Sequence, residues 1–336
     1  MEEEWEIPYH ELKKGDQVAH GTYATVHRGI WRGINVAIKE LKNSSSITAR
    51  EDQKNELKIM MLVHHPNIVL FLGYSRPHPE GDLCLVFEWM DGGDLLETIR
   101  RQQTSRAQQL RWSIDLCTAV LYLHLRTPTY IIHRDLKPAN CLLDRHGMCK
   151  IADFGISKSI FIQKKKRSRH NLIAANSMAF LGDHSSIHSL VSMTKEEEEE
   201  DSIHSTGPVG TFRYMAPELM KDIIGESYEN QDPRILRTSK NIDIYSLGMI
   251  LYMIWEHREP FWNYPSEGNI ENFCKRVSNG YQPRFSSIST TPLLIRNKIR
   301  ECWNLDPSQR PSAENLLSLF QALSFSDSSK ICCQLL

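Results

Sequence analysis

Two short polar segments contain side chains suited to moving a phosphoryl group. Residues 133–140 read HRDLKPAN, and residues 153–155 read DFG. Asp135 can accept or orient the proton of a hydroxyl group, while Asn140 and Asp153 offer the hard oxygen ligands that Mg²⁺ prefers beside nucleotide phosphates. Phosphoryl transfer mainly needs a nucleophile held in line and neutralised phosphate charge. The two segments therefore predict a site for a nucleotide, Mg²⁺ and a hydroxyl-bearing substrate.

A lysine and a glutamate upstream supply the cation that such a site requires. Lys39 ends the alternating run 35–39, NVAIK, which predicts a strand. Glu56 and Met60 lie four residues apart in a segment with helical character, so they share one helix face. An unpaired lysine would swing on its flexible stem, and a carboxylate partner fixes it. We therefore expect Glu56 to hold Lys39 against the α- and β-phosphates.

The pattern around these residues changes from strands to helices along the chain. Two alternating apolar runs around a small-residue turn predict antiparallel strands between residues 15 and 39, and the apolar runs 68–72 and 83–87 predict two more. Helical spacing follows from Leu110 to Leu121, and residues 242–254 are apolar almost all round, which predicts a buried helix.

This succession predicts an α+β fold with two lobes. A small antiparallel β-sheet lobe with one helix occupies about residues 12–90, and a larger, mainly α-helical lobe occupies about residues 91–323. At 336 residues the chain is long enough to bury a sizeable core.

Composition narrows the class of protein. The formal net charge of -1 gives no global attraction to nucleic acid, so no nucleic-acid partner is predicted. Eight cysteines lack paired zinc-ligand spacing and are expected to be reduced thiols. The acidic start MEEEWE has no apolar core, and no apolar run reaches transmembrane length, so we expect a cytoplasmic protein.

Two segments depart from the globular pattern. Residues 158–206 carry a basic run, a Ser/His/Asn-rich stretch and an acidic run, and they predict a mobile insert. Residues 324–336 form a polar tail with no predicted structure of its own. The chain ends CCQLL, so Cys333 fits a prenylation box and Cys332 could take a second lipid, which would add membrane association. Against this, Gln334 is not aliphatic and the upstream residues are not polybasic.

The order of these elements resembles the eukaryotic protein-kinase signature from about Leu12 to Leu323. The segments 5–8, WEIP, and 210–218, GTFRYMAPE, together with Cys302-Trp303, look most like the tyrosine-kinase-like group that contains Raf and the mixed-lineage kinases. The resemblance implies a bilobal protein-kinase domain over 12–323, ATP and Mg²⁺ as cofactors, and protein substrates phosphorylated on serine or threonine.

The resemblance also assigns roles by position. Lys137 matches the catalytic-loop lysine that contacts the transferred phosphate, and Thr211 matches the threonine that braces this loop in Ser/Thr kinases. Val26 and Ala37 would cover the adenine ring. Phe87 falls at the gatekeeper position.

Further roles follow from the same comparison. The backbone from Glu88 to Met90 would form the hinge that binds adenine. Four residues would form an apolar regulatory spine anchored by Asp243: Met60, Phe71, His133 and Phe154. Glu218 and Arg310 would form a buried ion pair.

The glycine-rich loop departs from the family pattern. Where the family has three glycines, this chain has Ala19, Gly21 and Ala24. Glycine permits unusual φ and a close approach of backbone to phosphate, so we expect weaker or slower ATP handling, with Ala19 and Gly21 still at the nucleotide.

The same departure keeps a second class of function open, that of a pseudokinase acting as a scaffold. Tyrosine or dual specificity is a third alternative. Ser202, Ser205 and Thr206 lie in the expected activation segment, and a phosphate there could pair with Arg134 and raise activity.

Overall fold

The computed structural model describes residues 3–21, 24–42, 47–77, 82–101, 103–161, 212–225, 238–265 and 268–334. They form a smaller lobe dominated by one β-sheet and a larger lobe dominated by helices. The predicted α+β, two-lobed architecture is therefore confirmed.

The smaller lobe is built on five strands. They are β1 (Leu12–His20), β2 (Ala24–Trp31), β3 (Ile34–Leu41), β4 (Phe71–Ser75) and β5 (Leu83–Glu88). All neighbouring pairs are antiparallel, and the order across the sheet is β1-β2-β3-β5-β4. The alternation of apolar residues produces two distinct faces, because successive side chains point to opposite sides of a strand.

The outer face of the sheet is covered by the N-terminal segment. A small apolar cluster joins this segment to the sheet and contains Ile7, Leu12, Val36, Ile38, Cys84 and Val86. The amide of Ile7 donates to the carbonyl of Tyr74 at 2.7 Å. A Cβ on Gly73 would lie 2.5 Å from the carbonyl oxygen of Trp5, so this close approach requires glycine.

Trp5 links the N-terminal segment to the lobe interior. Its ring stacks on Phe71 of β4 with centroids 5.5 Å apart and an interplanar angle of 27°. Phe71 also meets the gatekeeper residue Phe87 edge-on at 5.5 Å. The N-terminal segment thus packs directly against a residue of the predicted spine.

The single long helix of this lobe, α1, runs from Ile47 to Leu62. Glu56 and Met60 are both buried on its inner face, as their four-residue spacing predicts. The helix therefore brings a carboxylate to the sheet.

The larger lobe is helical and is organised around one buried helix. Its helices are α2 (Leu95–Arg101), α3 (Arg106–Leu125), α4 (Pro217–Ile223), α5 (Asn241–Glu256), α6 (Ile270–Ser278), α7 (Leu293–Cys302) and α8 (Ala313–Gln334). Helix α5 is buried from Ile242 to Trp255, because it is apolar on every side. Helix α3 packs against both α5 and α8.

Short strands position the polar segments in this lobe. One sheet has the order β6-β8-β9 and consists of β6 (Gly93–Asp94), β8 (Cys141–Leu143) and β9 (Cys149–Ile151). A second pair joins β7 (Thr129–Ile132) to β10 (Lys158–Phe161). The HRDLKPAN segment lies between β7 and β8, and the DFG segment lies between β9 and β10.

Three boundaries differ from the sequence expectation. The strand predicted at 68–72 is β4 at 71–75, because Ile68 and Val69 instead pair with Ile151 across the lobe junction. The predicted insert begins too early, since residues 158–161 form β10, whose only signal is its long-range partner β7. The tail predicted from 324 continues α8 to Gln334.

None of the helices in the described ranges is both long enough and apolar enough to span a bilayer. The six cysteines with described side chains are buried free thiols, as the sequence predicts for reduced cysteines.

Candidate active site

Lys39 stands between two carboxylates in the cleft. Its Nζ lies 2.6 Å from Glu56 Oε1 on α1 and 2.7 Å from Asp153 Oδ1 of the DFG segment. Strand β3 supplies the lysine, the smaller lobe's helix supplies one carboxylate, and the larger lobe supplies the other. The predicted clamp of Lys39 by Glu56 is present, with Asp153 added to it.

The three groups fix one another's charge. Burial opposes the Lys39 ammonium, but Asp153 and Glu56 outweigh burial and raise the pKa of Lys39 well above its usual range. Burial also opposes the Asp153 carboxylate, yet Lys39 lowers the pKa of Asp153 to about 2. Burial raises the pKa of Glu56, with Asp153 adding to the effect and Lys39 opposing it. Lys39 and Asp153 are therefore both ionised at neutral pH.

The catalytic loop brings together the three polar side chains predicted there. Lys137 Nζ lies 2.8 Å from Asp135 Oδ2, and Asn140 Nδ2 donates to the same oxygen at 3.0 Å and to the Asp135 carbonyl at 2.9 Å. The Asp135 side chain keeps part of its surface open to the cleft. A carboxylate held by two donors and still accessible suits a group that orients a substrate hydroxyl.

Asn140 and Asp153 are neighbours because the backbone ties their loops together. The amide of Ala152 donates to the carbonyl of Asn140 at 2.8 Å, and Cys141 pairs with Ile151 in the β8–β9 register. Asp153 has φ +65°, a left-handed conformation that is uncommon for a non-glycine residue. Its side chain is 44 % exposed toward the cleft.

This pair of oxygen donors fits a hard divalent cation. Mg²⁺ typically binds through one or two protein oxygens and completes its shell with water and phosphate. The described residues contain no cluster of three or more His, Cys, Asp or Glu side chains that could coordinate a metal by themselves. The amide oxygen of Asn140 and the carboxylate of Asp153 are the residues that would hold the ion.

The four residues of the predicted spine are all buried. His133 lies against Phe154 with ring centroids 4.7 Å apart, and Met60 and Phe71 are buried in the same core. Asp243 anchors the base, since it accepts from the backbone amide of His133 at 2.9 Å.

The anchor also holds the catalytic loop. Asp243 accepts from the amide of Arg134 at 2.9 Å and from His124 Nε2 at 2.9 Å. Burial opposes its charge, but the His124 hydrogen bond outweighs burial and lowers the pKa of Asp243. Arg134 has φ +69°, so the loop is held in an uncommon backbone conformation by a buried carboxylate.

The sheet register gathers the residues predicted to cover the nucleotide. Directly paired residues of antiparallel strands share a face, and the pairs here are Ala19 with Val26, Val26 with Lys39, and Ala37 with Phe87. Ala37 is two residues from Lys39, so all five side chains lie on the cleft face. The predicted cover and gatekeeper are therefore brought together.

The hinge is braced in a way that the sequence did not indicate. Glu88 accepts from Lys150 Nζ at 2.7 and 2.8 Å and from the amide of Leu70 at 2.8 Å. Met90, two residues later, is buried and accepts from the amide of Gly93 at 3.3 Å. The Glu88 side chain thus secures the predicted hinge together with its amide, which donates to the carbonyl of Leu70 at 3.0 Å. Lys150 lies 62 residues away along the chain, and no local pattern signals the pair.

The two alanines of the glycine-rich loop fit their backbone. Ala19 is the second-to-last residue of β1 and Ala24 begins β2, and neither residue is among those with positive φ. The amide of Gly21 donates to Ala24 O at 2.8 Å, and Lys42 Nζ donates to Gly21 O at 2.8 Å. A methyl group at Ala19 or Ala24 therefore causes no backbone strain, and any effect would come from its approach to phosphate.

Two arginines fix the helical lobe below the cleft. Arg310 forms the predicted buried pair with Glu218, in a two-point contact of 2.6 and 2.7 Å. Arg213, which the sequence analysis did not single out, donates to the carbonyls of Pro260 at 2.9 Å and Tyr264 at 2.8 Å. It anchors the segment that leads into α4.

Several predictions lie outside the described residues. These are the contact of Thr211, the phosphorylation sites Ser202, Ser205 and Thr206, and most of the insert. The side chains of Cys332 and Cys333 lie outside them as well, so the prenylation prediction stays a prediction.

Comparison with known proteins agrees with the fold. Residues 12–180 match the family described as protein tyrosine and serine/threonine kinase, and residues 188–319 match the protein kinase domain. The chain belongs to the protein kinase family. Its resemblance to the tyrosine-kinase-like group is confirmed by the relatives that it matches.

The matched relatives are longer proteins. The chain is 31% identical over 328 residues to serine/threonine-protein kinase VIK of Arabidopsis thaliana, covering 95% of this chain and 62% of VIK. It is 28% identical over 323 residues to mitogen-activated protein kinase kinase kinase 7 of Homo sapiens, covering 95% of this chain and 43% of that protein. The chain thus spans less than two thirds of the length of these relatives.

Proposed function

We propose that this chain is an active protein kinase that transfers the γ-phosphate of ATP to serine or threonine hydroxyls of proteins. One observation carries the proposal: Lys39 Nζ lies 2.6 Å from a carboxylate oxygen of Glu56 and 2.7 Å from a carboxylate oxygen of Asp153. Helix α1 is already in the position that clamps the lysine, so the nucleotide side of the site needs no rearrangement of these three groups.

Asp135 is the residue proposed to act on the substrate hydroxyl. Its carboxylate accepts from Lys137 and Asn140 and remains partly open, so it can orient the hydroxyl and accept its proton. Lys137, at 2.8 Å from that carboxylate, is placed to contact the phosphoryl group as it moves toward the hydroxyl.

The nucleotide is proposed to lie beneath the sheet. Val26, Ala37 and Ala19 on the cleft face would cover the adenine and ribose, and the backbone from Glu88 to Met90 would bind the adenine edge. Asn140 and Asp153 would hold Mg²⁺, which when bound neutralises charge on the phosphates. Gly21, which lacks a side chain, would let the loop backbone approach the phosphates closely.

Specificity for serine and threonine is supported by Lys137. Its position two residues after Asp135 matches the Ser/Thr pattern, and the relatives VIK and SIS8 of Arabidopsis thaliana both carry names of serine/threonine-protein kinases. Phosphoamino-acid analysis of a modified substrate separates this specificity from tyrosine or dual specificity.

The direct test compares wild type with Asp135→Asn in a radiolabelled ATP assay on a generic basic protein. The substitution keeps the shape and removes the proton acceptor, so we expect a loss of about 100-fold or more in rate. Asp306→Asn is the matched control, because Asp306 caps a short turn on the surface and asparagine caps equally well.

The outcome also separates catalysis from scaffolding. Equal rates for wild type and Asp135→Asn would refute the proposed role of Asp135. A folded wild type with a phosphorylated activation segment and no transfer at all would favour the pseudokinase alternative.

A further inference from the structure

A second polar cavity, of about 520 Å³, lies in the helical lobe at the end of α2. Ten described residues line it. Four of them are arginines, Arg100, Arg101, Arg213 and Arg258, and one, Glu259, carries a carboxylate. We propose that this cavity, the arginine pocket, binds an acidic or phosphorylated side chain of the protein substrate. The inference rests on the proposed kinase function and adds a substrate class to it.

The helix that supplies two of the pocket's arginines contacts the catalytic loop. Helix α2 packs against the 3₁₀ turn Pro138–Asn140, which contains the proposed metal ligand Asn140. Seven residues of α-helix are roughly 10 Å long, so the arginines at its end are within reach of a few extended substrate residues. Arg213 of the same pocket directly follows Phe212, in the segment that leads into α4.

The guanidinium groups differ in how firmly they are held. Arg100 is paired with Glu259, with its Nε 3.1 Å from Glu259 Oε1, and Arg213 is fastened to backbone carbonyls. Arg101 is 77 % exposed and forms an ion pair with the half-exposed Glu97 at 2.7 Å. An exposed pair of this kind contributes little and exchanges readily with an incoming anion.

Arg258 is the most available cation of the pocket. Its guanidinium lies 4.5 Å from the ring centroid of Trp262, and within the part of the chain that the structure describes no carboxylate pairs with it. Trp262 is 52 % exposed, an unusual amount for tryptophan, and it holds the guanidinium by a cation–π contact. A planar guanidinium fixed in this way presents its remaining N–H donors to a carboxylate or phosphate.

Charge balance favours an anion over a cation as the occupant. Among the described residues, Glu97 pairs with Arg101 and Glu259 pairs with Arg100, so the charge of Arg258 is left without a balancing carboxylate there. The whole chain has a formal net charge of only -1, so this excess is a local feature. The structure therefore points to a substrate with an anionic side chain a few residues from the phosphoacceptor.

The test uses three serine peptides that differ only at positions flanking the acceptor, with glutamate, phosphoserine or glutamine there. Wild type is expected to have a higher kcat/KM for both anionic peptides than for the glutamine peptide. In Arg101→Gln/Arg258→Gln this preference should fall by roughly two- to fivefold per arginine, with activity on the glutamine peptide unchanged. The relative response to glutamate and phosphoserine shows which anion is preferred.

A matched control carries the same charge change elsewhere. Arg276→Gln/Arg284→Gln alters a separate depression near Tyr281 and should leave the preference as in wild type. Charge reversal in Arg101→Glu/Arg258→Glu should shift the preference to a lysine peptide. An unchanged anionic preference in the first double variant, or no preference in wild type, would overturn the inference.

A binding measurement separates this inference from the kinase proposal. Fluorescence anisotropy with an alanine-acceptor version of the glutamate peptide reports the arginine pocket without any chemistry. Binding that weakens in Arg101→Gln/Arg258→Gln, in a protein that transfers no phosphate, would retain the pocket and refute the kinase proposal. Phosphate transfer without charge-dependent peptide binding would retain the kinase proposal and refute the pocket.

Discussion

Lys39 joins the two lobes through Asp153, with 2.7 Å between Nζ and Oδ1. The same ammonium holds Glu56 at 2.6 Å, so one cation fixes the sheet, helix α1 and the DFG segment together. Phosphates entering this site would meet a lysine that is already oriented, which is the condition under which electrostatic stabilisation is most effective.

Replacing Lys39 by methionine is expected to lower kcat/KM for ATP-dependent transfer by about 100-fold or more, since a preorganised charged donor is lost. Steady-state kinetics at varied ATP measures this. Lys14→Met is the matched control, because Lys14 forms an exposed pair with Glu40 at 3.1 Å outside the cleft. Comparable activity of Lys39→Met and Lys14→Met would contradict the role given to Lys39.

The low pKa of Asp153 predicts a defined pH window. The pKa of Asp153 is about 2 in the folded chain, against 3.8 ordinarily. Its carboxylate therefore stabilises the fold at pH values above 3.8, and this contribution is lost as the pH falls toward 2. The difference in free energy of unfolding between wild type and Asp153→Asn should therefore be constant from about pH 5 to 8 and shrink between about pH 4 and 2. Urea unfolding at a series of pH values measures it, and a difference that changes mainly above pH 5 would argue against the assignment.

Arg310→Met should destabilise the helical lobe by about 3–5 kcal/mol, because Glu218 would remain as a buried carboxylate without its cation. The two-point contact at 2.6 and 2.7 Å is almost fully buried. Lys275→Met, which alters an exposed pair with Glu271, should cost at most about 1 kcal/mol. Denaturant unfolding with equal losses in the two variants would rule out the proposed burial effect.

Trp5→Ala tests whether the N-terminal segment supports the spine. The ring contact with Phe71 alone should contribute about 0.5–1.5 kcal/mol beyond area burial. Since Phe71 belongs to the predicted spine, we expect activity to fall along with thermal stability. Tyr9→Ala is the control, because Tyr9 is an exposed aromatic in the same segment. Full activity of Trp5→Ala would show that the contact is dispensable for the spine.

Ala19→Gly/Ala24→Gly restores the family's glycine pattern. Both residues have negative φ, so glycine should cost about 0.5–1 kcal/mol of stability at each site. If the methyl groups hinder the approach of phosphate, the KM for ATP should nevertheless decrease. An unchanged KM would mean that the alanines do not limit ATP handling. The comparison is made with wild type. Gly147→Ala is not a suitable control, because Gly147 has φ +74° and alanine would be strained there.

Much of the site could be predicted from sequence because its residues occur in compact local motifs. The positions of Lys39, Glu56, Asp135, Asn140 and Asp153 follow from residue type and order, and the structure brings all five together. Element type was also predictable for α1, from the four-residue spacing of Glu56 and Met60, and for α5, from its long apolar run. The boundaries of elements were harder to predict, as β4 and β10 show, because each of these strands ends where its distant partner strand ends.

Contacts between distant segments had no local signal. Lys150 reaches Glu88, Trp5 stacks on Phe71, and Arg213 binds the carbonyls after α5, yet no spacing rule connects any of these pairs. The arginine pocket belongs to the same class, because α2 and the residues after α5 supply its cations from opposite sides.

The sequence by itself determined which chemical groups the protein carries, their order, and the α+β succession of strands and helices, because these depend on residue type and local period. Only the tertiary structure decided that Lys39 contacts a residue 114 positions away as closely as it contacts Glu56, and that four arginines surround one cavity. The physical reason is that such contacts depend on how buried surfaces of separate elements pack, and short-range patterns carry no information about that packing.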